Sequence, residues 1–304
     1  MDPPPTSVLL PTVSWTDACG EVADQIRPDD ELLVVCDHPD DPVAERVRKA
    51  PANVRLVVAG DPEGCSGKAN AIAAAMDAAR HDRLVWTDDD FHHPPDWLDG
   101  LHAAYERHGP VSELPFFVGR DSLSTLLEPM YALGGTLGVY ADDKVWAGAV
   151  LFERSDLDED AFLADLRRTV SDDGLLSEYL DATALRRVRR VEVGGSIRAS
   201  LERHVRFTKI VARHDPNGLA PTALVTTVLA AMCLLAPLLA FGVTSLFAAG
   251  VYAYFGVRRT TAFLLYPAVL AQAPLTAYVL ARRTFVWGGR RYRWHSKFDV
   301  EVLG

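Results

Sequence analysis

Residues Arg83–Leu98 read RLVWTDDDFHHPPDWL, an apolar run that ends in three consecutive carboxylates. The run Arg83–Thr87 is short, apolar and followed by turn residues, as buried strands are. Alternate residues of an extended segment project the same way, so Asp88 and Asp90 would share a face and could jointly hold a cation. Carboxylate oxygens suit Mg²⁺ or Mn²⁺. The alternative is a solvated acidic turn in an acidic protein.

The chain before this stretch alternates between two patterns. Short β-branched runs predict strands, and helical spacing predicts helices between them. The predicted strands are Ser7–Leu10, Leu32–Cys36, Val54–Val58 and Arg83–Thr87, and the predicted helices are Asp17–Ile26, Pro42–Lys49 and Ala69–Arg80. This alternation predicts an α/β fold with a mostly parallel, Rossmann-like sheet and helices on both faces. Ligands of such sheets bind at the carboxyl ends of the strands, where Asp37, Lys68 and Asp88 would lie.

The loop Gly64–Ile72, GCSGKANAI, lies between a predicted strand and a predicted helix, as a phosphate-binding P-loop does. A P-loop has a glycine, four further residues, and then Gly-Lys followed by a hydroxyl residue. Here Pro62 and Ala69 occupy the first and last of these positions, and a proline removes a backbone donor. The sequence therefore argues against a P-loop nucleotidase. Lys68 is left as a neighbour of a phosphate or as a surface lysine.

Charge is distributed unevenly along the 304 residues. Residues 1–197 carry 18 basic and 37 acidic side chains, whereas residues 198–304 carry 13 basic and 4 acidic ones. An acidic body lacks the basic footprint that nucleic acids require, so no nucleic-acid partner is expected. The four cysteines show no metal-ligand or redox spacing, and the N-terminus does not resemble a signal peptide. We therefore expect the acidic body in the cytoplasm.

The basic part contains three apolar segments. Pro221–Phe241 is uncharged and, at about 1.5 Å per residue, matches the roughly 30 Å hydrocarbon core; Val243–Val257 is shorter, and Ala262–Ala281 is close to spanning length. Arginine clusters, which favour the cytoplasm, lie at residues 258–259, 282–283 and 290–293. Three crossings would place the last two clusters outside. Either one segment does not cross, with Val243–Val257 the obvious candidate, or the charge rule is violated.

Several motifs, taken in chain order, resemble those of the family 2 glycosyltransferases of the GT-A fold. The stretch Asp88-Asp89-Asp90 resembles the metal-binding DxD motif of that family. Further similar segments are Asp37 at the end of its strand, Gly67–Ala71 (G-K-x-x-A-L), Val145–Phe152 (W-x-G), Val170–Leu176 (T/x-E-D-x-x-L), Arg203–Phe207 (Q/R-x-x-R-W) and Trp287–Tyr292 (W-x-G-R-x-Y). The Arg203–Phe207 motif, with Phe207 in place of tryptophan, resembles the ceramide-glucosyltransferase and polysaccharide-synthase branches. The resemblance covers residues 7 to about 294.

The resemblance implies a role for each of these positions. It implies Asp173 as the catalytic base, with Asp172 beside it, and a Mg²⁺ or Mn²⁺ ion on Asp90 and Asp88. The implied donor-binding residues are Asp37, Lys68, Asp88, Arg203, Arg206 and Phe207, and the implied acceptor-side residues are Trp146 and Gly148. The donor would be a UDP- or GDP-linked sugar. Arg203 and Arg206 would lie on one helical face, where they fit donor phosphates or, alternatively, anionic headgroups.

These observations together predict a metal-dependent, inverting glycosyltransferase in the cell membrane, multi-pass, with a cytoplasmic catalytic domain. An aspartate base favours a hydroxyl acceptor on a lipid or lipid-linked sugar, because a phosphate acceptor is already ionised. The predicted domains are 1–197 (GT-A catalytic), 198–217 (basic interfacial helix), 218–283 (two or three transmembrane helices) and 284–304 (basic tail). The alternatives are a processive polysaccharide synthase and a non-catalytic nucleotide-sugar-binding membrane regulator.

Overall fold

The computed structural model describes residues 3–303, except for the side chains of residues 219–222. The strands are β1 (Thr6–Pro11), β2 (Glu31–Cys36), β3 (Val54–Val58), β4 (Arg83–Thr87), β5 (Val111–Gly119), β6 (Ala149–Glu153), β7 (Thr183–Val193), β8 (Thr284–Trp287), β9 (Arg290–Ser296) and β10 (Asp299–Val302). The helices are α1 (Asp17–Ala23), α2 (Pro42–Val47), α3 (Gly67–Ala78), α4 (Trp97–His108), α5 (Ser122–Tyr131), α6 (Val139–Ala141), α7 (Glu159–Leu166), α8 (Asp172–Tyr179), α9 (Ile197–His214), α10 (Pro216–Leu235), α11 (Pro237–Tyr254) and α12 (Leu265–Ala281). A π-helix spans Ala132–Gly138, and 3₁₀ turns span Arg154–Asp156 and Thr260–Leu264.

The described chain forms two compact units. The first, here called the body, contains the described residues up to Leu114 together with Asp143–Leu185 and Trp294–Leu303. The second contains Pro115–Asp142 and Arg186–Arg293. The boundaries of these units fall within β5, β7 and β9, so individual strands contribute residues to both units.

A seven-stranded sheet with the order β3-β2-β1-β4-β6-β5-β7 is the centre of the fold. The four strands from β3 to β4 are mutually parallel, and β6 runs antiparallel to β4 and β5. All residues of β2 and β4 are buried, which explains why these strands are apolar without alternation. The predicted fold class, a mostly parallel α/β sheet followed by apolar helices, is confirmed.

Serine caps fix the start of two helices of the body. The Ser66 hydroxyl accepts the Ala69 N–H at 3.1 Å and starts α3, and the Ser171 hydroxyl accepts the Gly174 N–H at 3.0 Å and starts α8. Both helices then bury their apolar side chains in the core cluster that contains Trp86. The caps therefore place polar residues of the two first turns, among them Lys68 and Asp172, at defined positions.

The second unit contains the apolar helices. Three segments are long and apolar enough to cross a membrane, namely Pro216–Leu235, Pro237–Tyr254 and Thr260–Ala281. The strands β8 and β9 are joined by Gly288 and Gly289, whose positive φ angles of 55° and 76° suit a two-residue hairpin turn. The three-stranded sheet β10-β9-β8 thus lies in the range predicted as a basic tail.

Candidate active site

The carboxyl ends of the parallel strands of the body carry the candidate residues. Thr12 follows β1, Asp37 follows β2 and Asp88 follows β4. Strand β6 runs in the opposite direction and pairs its first residue, Ala149, with Thr87. The preceding segment, which includes Trp146 and Gly148, therefore reaches the same edge, and the Asp88 N–H donates to the Gly148 carbonyl at 3.1 Å.

Lys68 joins two of the predicted acidic positions. Its Nζ lies 2.7 Å from Oδ1 of Asp88 and 3.0 Å from Oδ2 of Asp172. The Asp172 side chain is only 3% exposed, and that of Lys68 is 17% exposed. Burial acts to lower the pKa of Lys68, but the charges of Asp172, Asp88 and Asp173 outweigh it and hold that pKa well above its usual value. Lys68 is thus a charged ammonium within an acidic cluster, rather than a surface lysine.

Asp173, next to this cluster, has a different environment. Its Oδ1 accepts the backbone N–H of Ala147 at 2.6 Å. Burial and the neighbouring charge of Asp172 raise the pKa of Asp173 to about 7, against the opposing effect of Lys68. Adjacent acids with different environments can divide the roles of fixed charge and proton acceptor. Asp172 is held by Lys68, whereas Asp173 has a pKa near neutrality.

The three aspartates after β4 have separate surroundings. Asp89 is bound within the body: its Oδ2 accepts the Thr12 hydroxyl at 2.5 Å, and its carbonyl accepts the Thr16 hydroxyl at 3.1 Å. Burial raises the pKa of Asp89, against this hydrogen bond from Thr12. Asp90 is exposed to solvent. Sequence reasoning missed Thr12 as a partner of the acidic turn, and no local pattern marks it.

The histidines after the acidic turn hold that turn to the body. His93 is buried, and its Nε2 lies 2.7 Å from the Thr87 hydroxyl. Its backbone N–H donates to Glu21 at 2.7 Å, and Nδ1 of His92 lies 2.6 Å from the other oxygen of that carboxylate. His93 is therefore engaged with both α1 and β4, and His92 with α1.

The acidic edge fits a hard divalent cation by its chemistry. Among residues 3–303, no group of three or more His, Cys, Asp or Glu side chains forms a preformed metal site. Mg²⁺, however, is often bound by only one or two carboxylates together with substrate phosphates. Asp88 and the exposed Asp90 supply two carboxylates of this kind, and Lys68 already balances part of the charge on Asp88.

Gly148 lies too close to two side chains of the site to be replaced by a larger residue. A Cβ at this position would lie 2.3 Å from the indole ring of Trp146 and 2.7 Å from Oδ2 of Asp88. Trp146 is itself fixed, since its backbone N–H donates to the Ser112 hydroxyl at 2.8 Å and its ring centroid lies 5.2 Å from that of Phe91. The W-x-G motif thus shapes the neighbourhood of Asp88.

Gly148→Ala should therefore destabilise the body. We expect a loss of about 1–3 kcal/mol in the free energy of unfolding, as for other overpacked sites, and a displaced Asp88. Thermal unfolding of the purified protein measures the effect. Gly20→Ala is the matched control, because a Cβ at Gly20, in α1, meets nothing within 4 Å. Equal melting temperatures for the two variants would contradict the prediction.

The predicted arginine motif lies on α9 in the second unit. The guanidinium of Arg206 lies 4.1 Å from the ring centroid of Trp287 and 5.2 Å from that of Phe207. Phe207 packs against Phe117 and Tyr131, with ring centroids 5.3 and 5.5 Å apart. The ring that replaces the motif's tryptophan is therefore part of an aromatic cluster, and Trp287 provides the aromatic face for Arg206.

Burial raises the pKa of Tyr131 to about 12, against the charges of Arg203 and Arg206. The hydroxyl of Tyr131 is buried without a hydrogen-bond partner among the described residues. The closing W-x-G-R-x-Y segment of the sequence includes Trp287. No sequence pattern, however, predicts that the ring of Trp287 stacks on Arg206.

The sequence of this chain matches a known protein family along most of its length. Residues 24–295 match the family described as glycosyl transferase family 21. The class of protein is thus a glycosyltransferase, as predicted. The chain belongs to glycosyl transferase family 21; family 2, which the motifs resemble, is not confirmed by this match.

Three of the solved structures that are similar to this chain illustrate the likeness. A mycobacterial protein is 22% identical over 62% of this chain and 65% of its own, with a TM-score of 0.37. Residues 1–349 of TarS from S. aureus, in complex with UDP-GlcNAc, are 14% identical over 97% and 98% of the two chains, with a TM-score of 0.42. Glucosyl-3-phosphoglycerate synthase from Mycobacterium tuberculosis, in complex with Mn²⁺, UDP-glucose and glycerol 3-phosphate, is 18% identical over 68% and 78%, with a TM-score of 0.37.

This chain spans just under two thirds of the mycobacterial protein. With TM-scores below 0.5, these likenesses support no statement about its substrate. No curated protein sequence matches the chain significantly.

Proposed function

We propose that this protein is a membrane-bound, metal-dependent, inverting glycosyltransferase that moves a sugar from a nucleotide donor to a hydroxyl group of a lipid or lipid-linked acceptor. The catalytic body would lie on the cytoplasmic face of the cell membrane. The observation that carries the proposal is the pairing of a Lys68-bound Asp172 with an Asp173 whose pKa is raised. Family membership supplies the class of reaction.

Asp173 would act as the general base. An inverting transfer needs a group that takes the proton of the acceptor hydroxyl while its oxygen attacks the anomeric carbon. A base is most effective when its pKa is close to the working pH, and the pKa of about 7 meets this condition. The hydrogen bond from Ala147 holds the carboxylate in one orientation.

Asp88 and Asp90 would hold a Mg²⁺ or Mn²⁺ ion, which supplies charge neutralisation to the leaving diphosphate. Lys68 would keep Asp88 and Asp172 in place, and it would meet the donor only indirectly. Asp37 remains the proposed contact of the nucleoside base, and Trp146 with Gly148 the proposed acceptor side. Arg203, Arg206 and Phe207 remain proposed donor-binding residues on the basis of their motif. The proposed lipid acceptor follows the resemblance of the Arg203–Phe207 motif to the ceramide-glucosyltransferase branch.

The membrane part of the proposal depends on the exposed apolar surface. Large apolar side chains are exposed along α10 and α11, among them Leu224, Val228, Leu235, Leu238 and Leu246. A water-soluble protein rarely exposes such a continuous apolar surface, whereas a membrane segment requires it. A lipid acceptor would thus be available beside the enzyme.

A ligand panel tests the function directly. Nucleoside diphosphates and nucleotide sugars, each with and without Mn²⁺, are added to the purified protein, and the melting temperature is recorded. We expect one nucleotide to stabilise the body in a Mn²⁺-dependent way, and the corresponding nucleotide sugar to support transfer to a lipid extract. Binding without transfer to any hydroxyl acceptor would favour a non-catalytic role.

Asp90→Ala should abolish the Mn²⁺-dependent part of this stabilisation while leaving the fold intact. The reason is that Asp90 is exposed and its carboxylate is one of only two proposed protein ligands. The readout is the nucleotide-induced shift in melting temperature at increasing Mn²⁺ concentrations. Asp99→Ala, an exposed aspartate of α4, is the control and should behave like the wild type. If the Asp90 variant shows the full Mn²⁺-dependent shift in melting temperature, Asp90 is not a ligand of the metal.

A further inference from the structure

The side of the membrane on which each loop lies can be derived from the structure. The starting point is that residues 294–303 belong to the body. Phe298 packs against the core of the body, the guanidinium of Arg168 lies 5.5 Å from its ring centroid, and Lys297 forms an ion pair with Glu178. The chain therefore leaves the body before the apolar segments and returns to the same body after them. The number of membrane crossings between these two points must be even.

The end of the third apolar segment lies on the side of the body. Ala281 is followed by Arg282, and the chain then passes through β8 and β9 into the body without another apolar helix. Arg282 is held in this position, because its Nη2 lies 2.6 Å from Oε1 of Glu202 in α9. Glu202 also accepts the Val286 N–H at 2.9 Å.

The beginning of the same segment lies on that side too. Arg259 binds Glu128 through two hydrogen bonds, from Nε at 2.7 Å and from Nη2 at 3.0 Å. The Glu128 side chain is fully buried, and it also accepts the Gly119 N–H at 3.1 Å and the Thr261 hydroxyl. Glu128 belongs to α5, in a stretch of chain that leaves the body after Leu114 and returns at Asp143 without any candidate span. Arg259 is therefore on the side of the body.

The packing of α12 agrees with these two ends. Leu275, in the second half of this helix, packs against Leu127 and Tyr131 of α5, and Ala271 joins the same cluster with Phe207 of α9. Both α5 and α9 carry charged residues, and α9 is far too basic to lie within hydrocarbon. The second half of α12 is thus held by elements that lie outside the membrane core.

The helices α10 and α11 form the remaining apolar pair. They are joined by a single residue, Ala236, and both its N–H and its carbonyl take part in helical hydrogen bonds. Pro237 has no N–H, which would leave the Cys233 carbonyl without its helical donor, but the Tyr266 hydroxyl donates to that carbonyl at 3.3 Å. The Ala236 backbone groups and the Cys233 carbonyl thus keep hydrogen-bond partners at the bend, as backbone groups within lipid require.

The side chains at this bend are apolar throughout. Leu235 is 86% exposed and Leu238 is 89% exposed. No charged, hydroxyl or amide side chain occurs between Val228 and Val243. A loop that emerged into water on the far side would normally carry polar residues, and this one has none.

We propose that the chain enters the bilayer from one face only. In this arrangement α10 and α11 form an inserted hairpin whose apex, at Ala236, stays within the hydrocarbon, and the segment Thr260–Ala281 has both ends at the face of entry. All three arginine clusters then lie on the side of the body, so the positive-inside rule is obeyed. The inference rests on the membrane attachment proposed above. It differs from the multi-pass arrangement predicted from the sequence. There, Val243–Val257 was the obvious candidate for a segment that does not cross; here, none of the three apolar segments crosses the bilayer.

Cysteine labelling of the full-length chain in sealed membrane vesicles of known orientation tests the proposal. Single cysteines are introduced as Ala103→Cys in the body, Thr260→Cys and Ala281→Cys at the ends of the third segment, and Leu235→Cys at the apex; all four positions are exposed. The four native cysteines are buried, and the wild type gives the background. A membrane-impermeant maleimide is applied to either face, and unfolded variants are identified by their melting curves.

We expect the cysteines at 103, 260 and 281 to be labelled from one face at least tenfold more than from the other. The cysteine at 235 should stay at background from both faces until detergent is added. Labelling of 260 and 281 from opposite faces would overturn the inference and leave membrane attachment intact, as would labelling of 235 from the far face. Recovery of the wild type in the soluble fraction would instead overturn the attachment, and with it the proposed function.

Discussion

Asp173→Asn should reduce sugar transfer by about 10²–10⁴-fold, the range expected for the loss of a general base, while donor binding stays unchanged. The asparagine has the same shape, and its side-chain oxygen can still accept the Ala147 N–H. It cannot take a proton from an acceptor hydroxyl. Transfer rates and the nucleotide-induced shift in melting temperature, measured on the same preparation, separate catalysis from binding.

The same substitution should stabilise the protein above neutral pH. The pKa of Asp173 is raised from the ordinary 3.8 to about 7, so the folded state holds this proton more tightly than the unfolded state does. The stability that protonated Asp173 adds to the folded state is therefore lost as pH rises from about 4 to 7. An asparagine does not titrate, so the variant does not lose this stability. At pH 8 the variant should melt at a higher temperature than the wild type. Asp181 is an exposed aspartate, and Asp181→Asn, the control, should change neither the transfer rate nor the melting temperature at pH 8. If the Asp173 variant transfers sugar within tenfold of the wild-type rate, Asp173 is not the base.

Lys68→Met should move the acidic limb of the pH dependence of transfer to higher pH. In the wild type, transfer should rise with pH through about 7, because the base is active only when unprotonated. Lys68 is the cation that opposes the charges of Asp88 and Asp172, and its removal raises the pKa of Asp173 further. The pH dependence of kcat/KM, measured between pH 5 and 9, gives the midpoint for each variant.

The methionine should also destabilise the body at neutral pH. Removing one partner of a buried ion pair costs about 3–5 kcal/mol, because the remaining charge is left without compensation. Lys49→Met provides a matched control, since the Lys49–Glu45 pair is solvent-exposed and its loss should have little effect. Lys68→Arg, which keeps the charge, should bring the pH midpoint of kcat/KM part of the way back to the wild-type value. An unchanged midpoint in Lys68→Met, with only a higher KM for the donor, would assign Lys68 to the donor phosphate instead.

The parallel strands could be predicted because their side chains are buried on both faces. The predicted strands Val54–Val58 and Arg83–Thr87 coincide with β3 and β4, and the helix after the glycine loop begins within two residues of its predicted start. Their apolar runs, turn residues and the Ser66 cap are local signals. The family resemblance then implied that Lys68, Asp88 and Asp173 belong to one nucleotide-sugar site.

The chemistry between these residues could not be predicted in the same way. The ion pairs of Lys68 with Asp88 and Asp172 join three separate segments of the chain, and side-chain pairs at such separations leave no periodic pattern. The Glu128–Arg259 pair spans an even longer stretch. Apolar length indicates which segments can enter lipid, but it contains no information about the carboxylates that hold their ends. The proposed topology therefore rests on these contacts, which the sequence did not show.

The inclusion of residues 294–303 in the body has a consequence for how the protein is made. Phe298 contributes to the core of the body, yet it is synthesised after all three apolar segments. When the ribosome reaches this residue, α10 and α11 have already been synthesised. In the proposed arrangement, membrane entry of the hairpin would therefore precede the last step in the folding of the body.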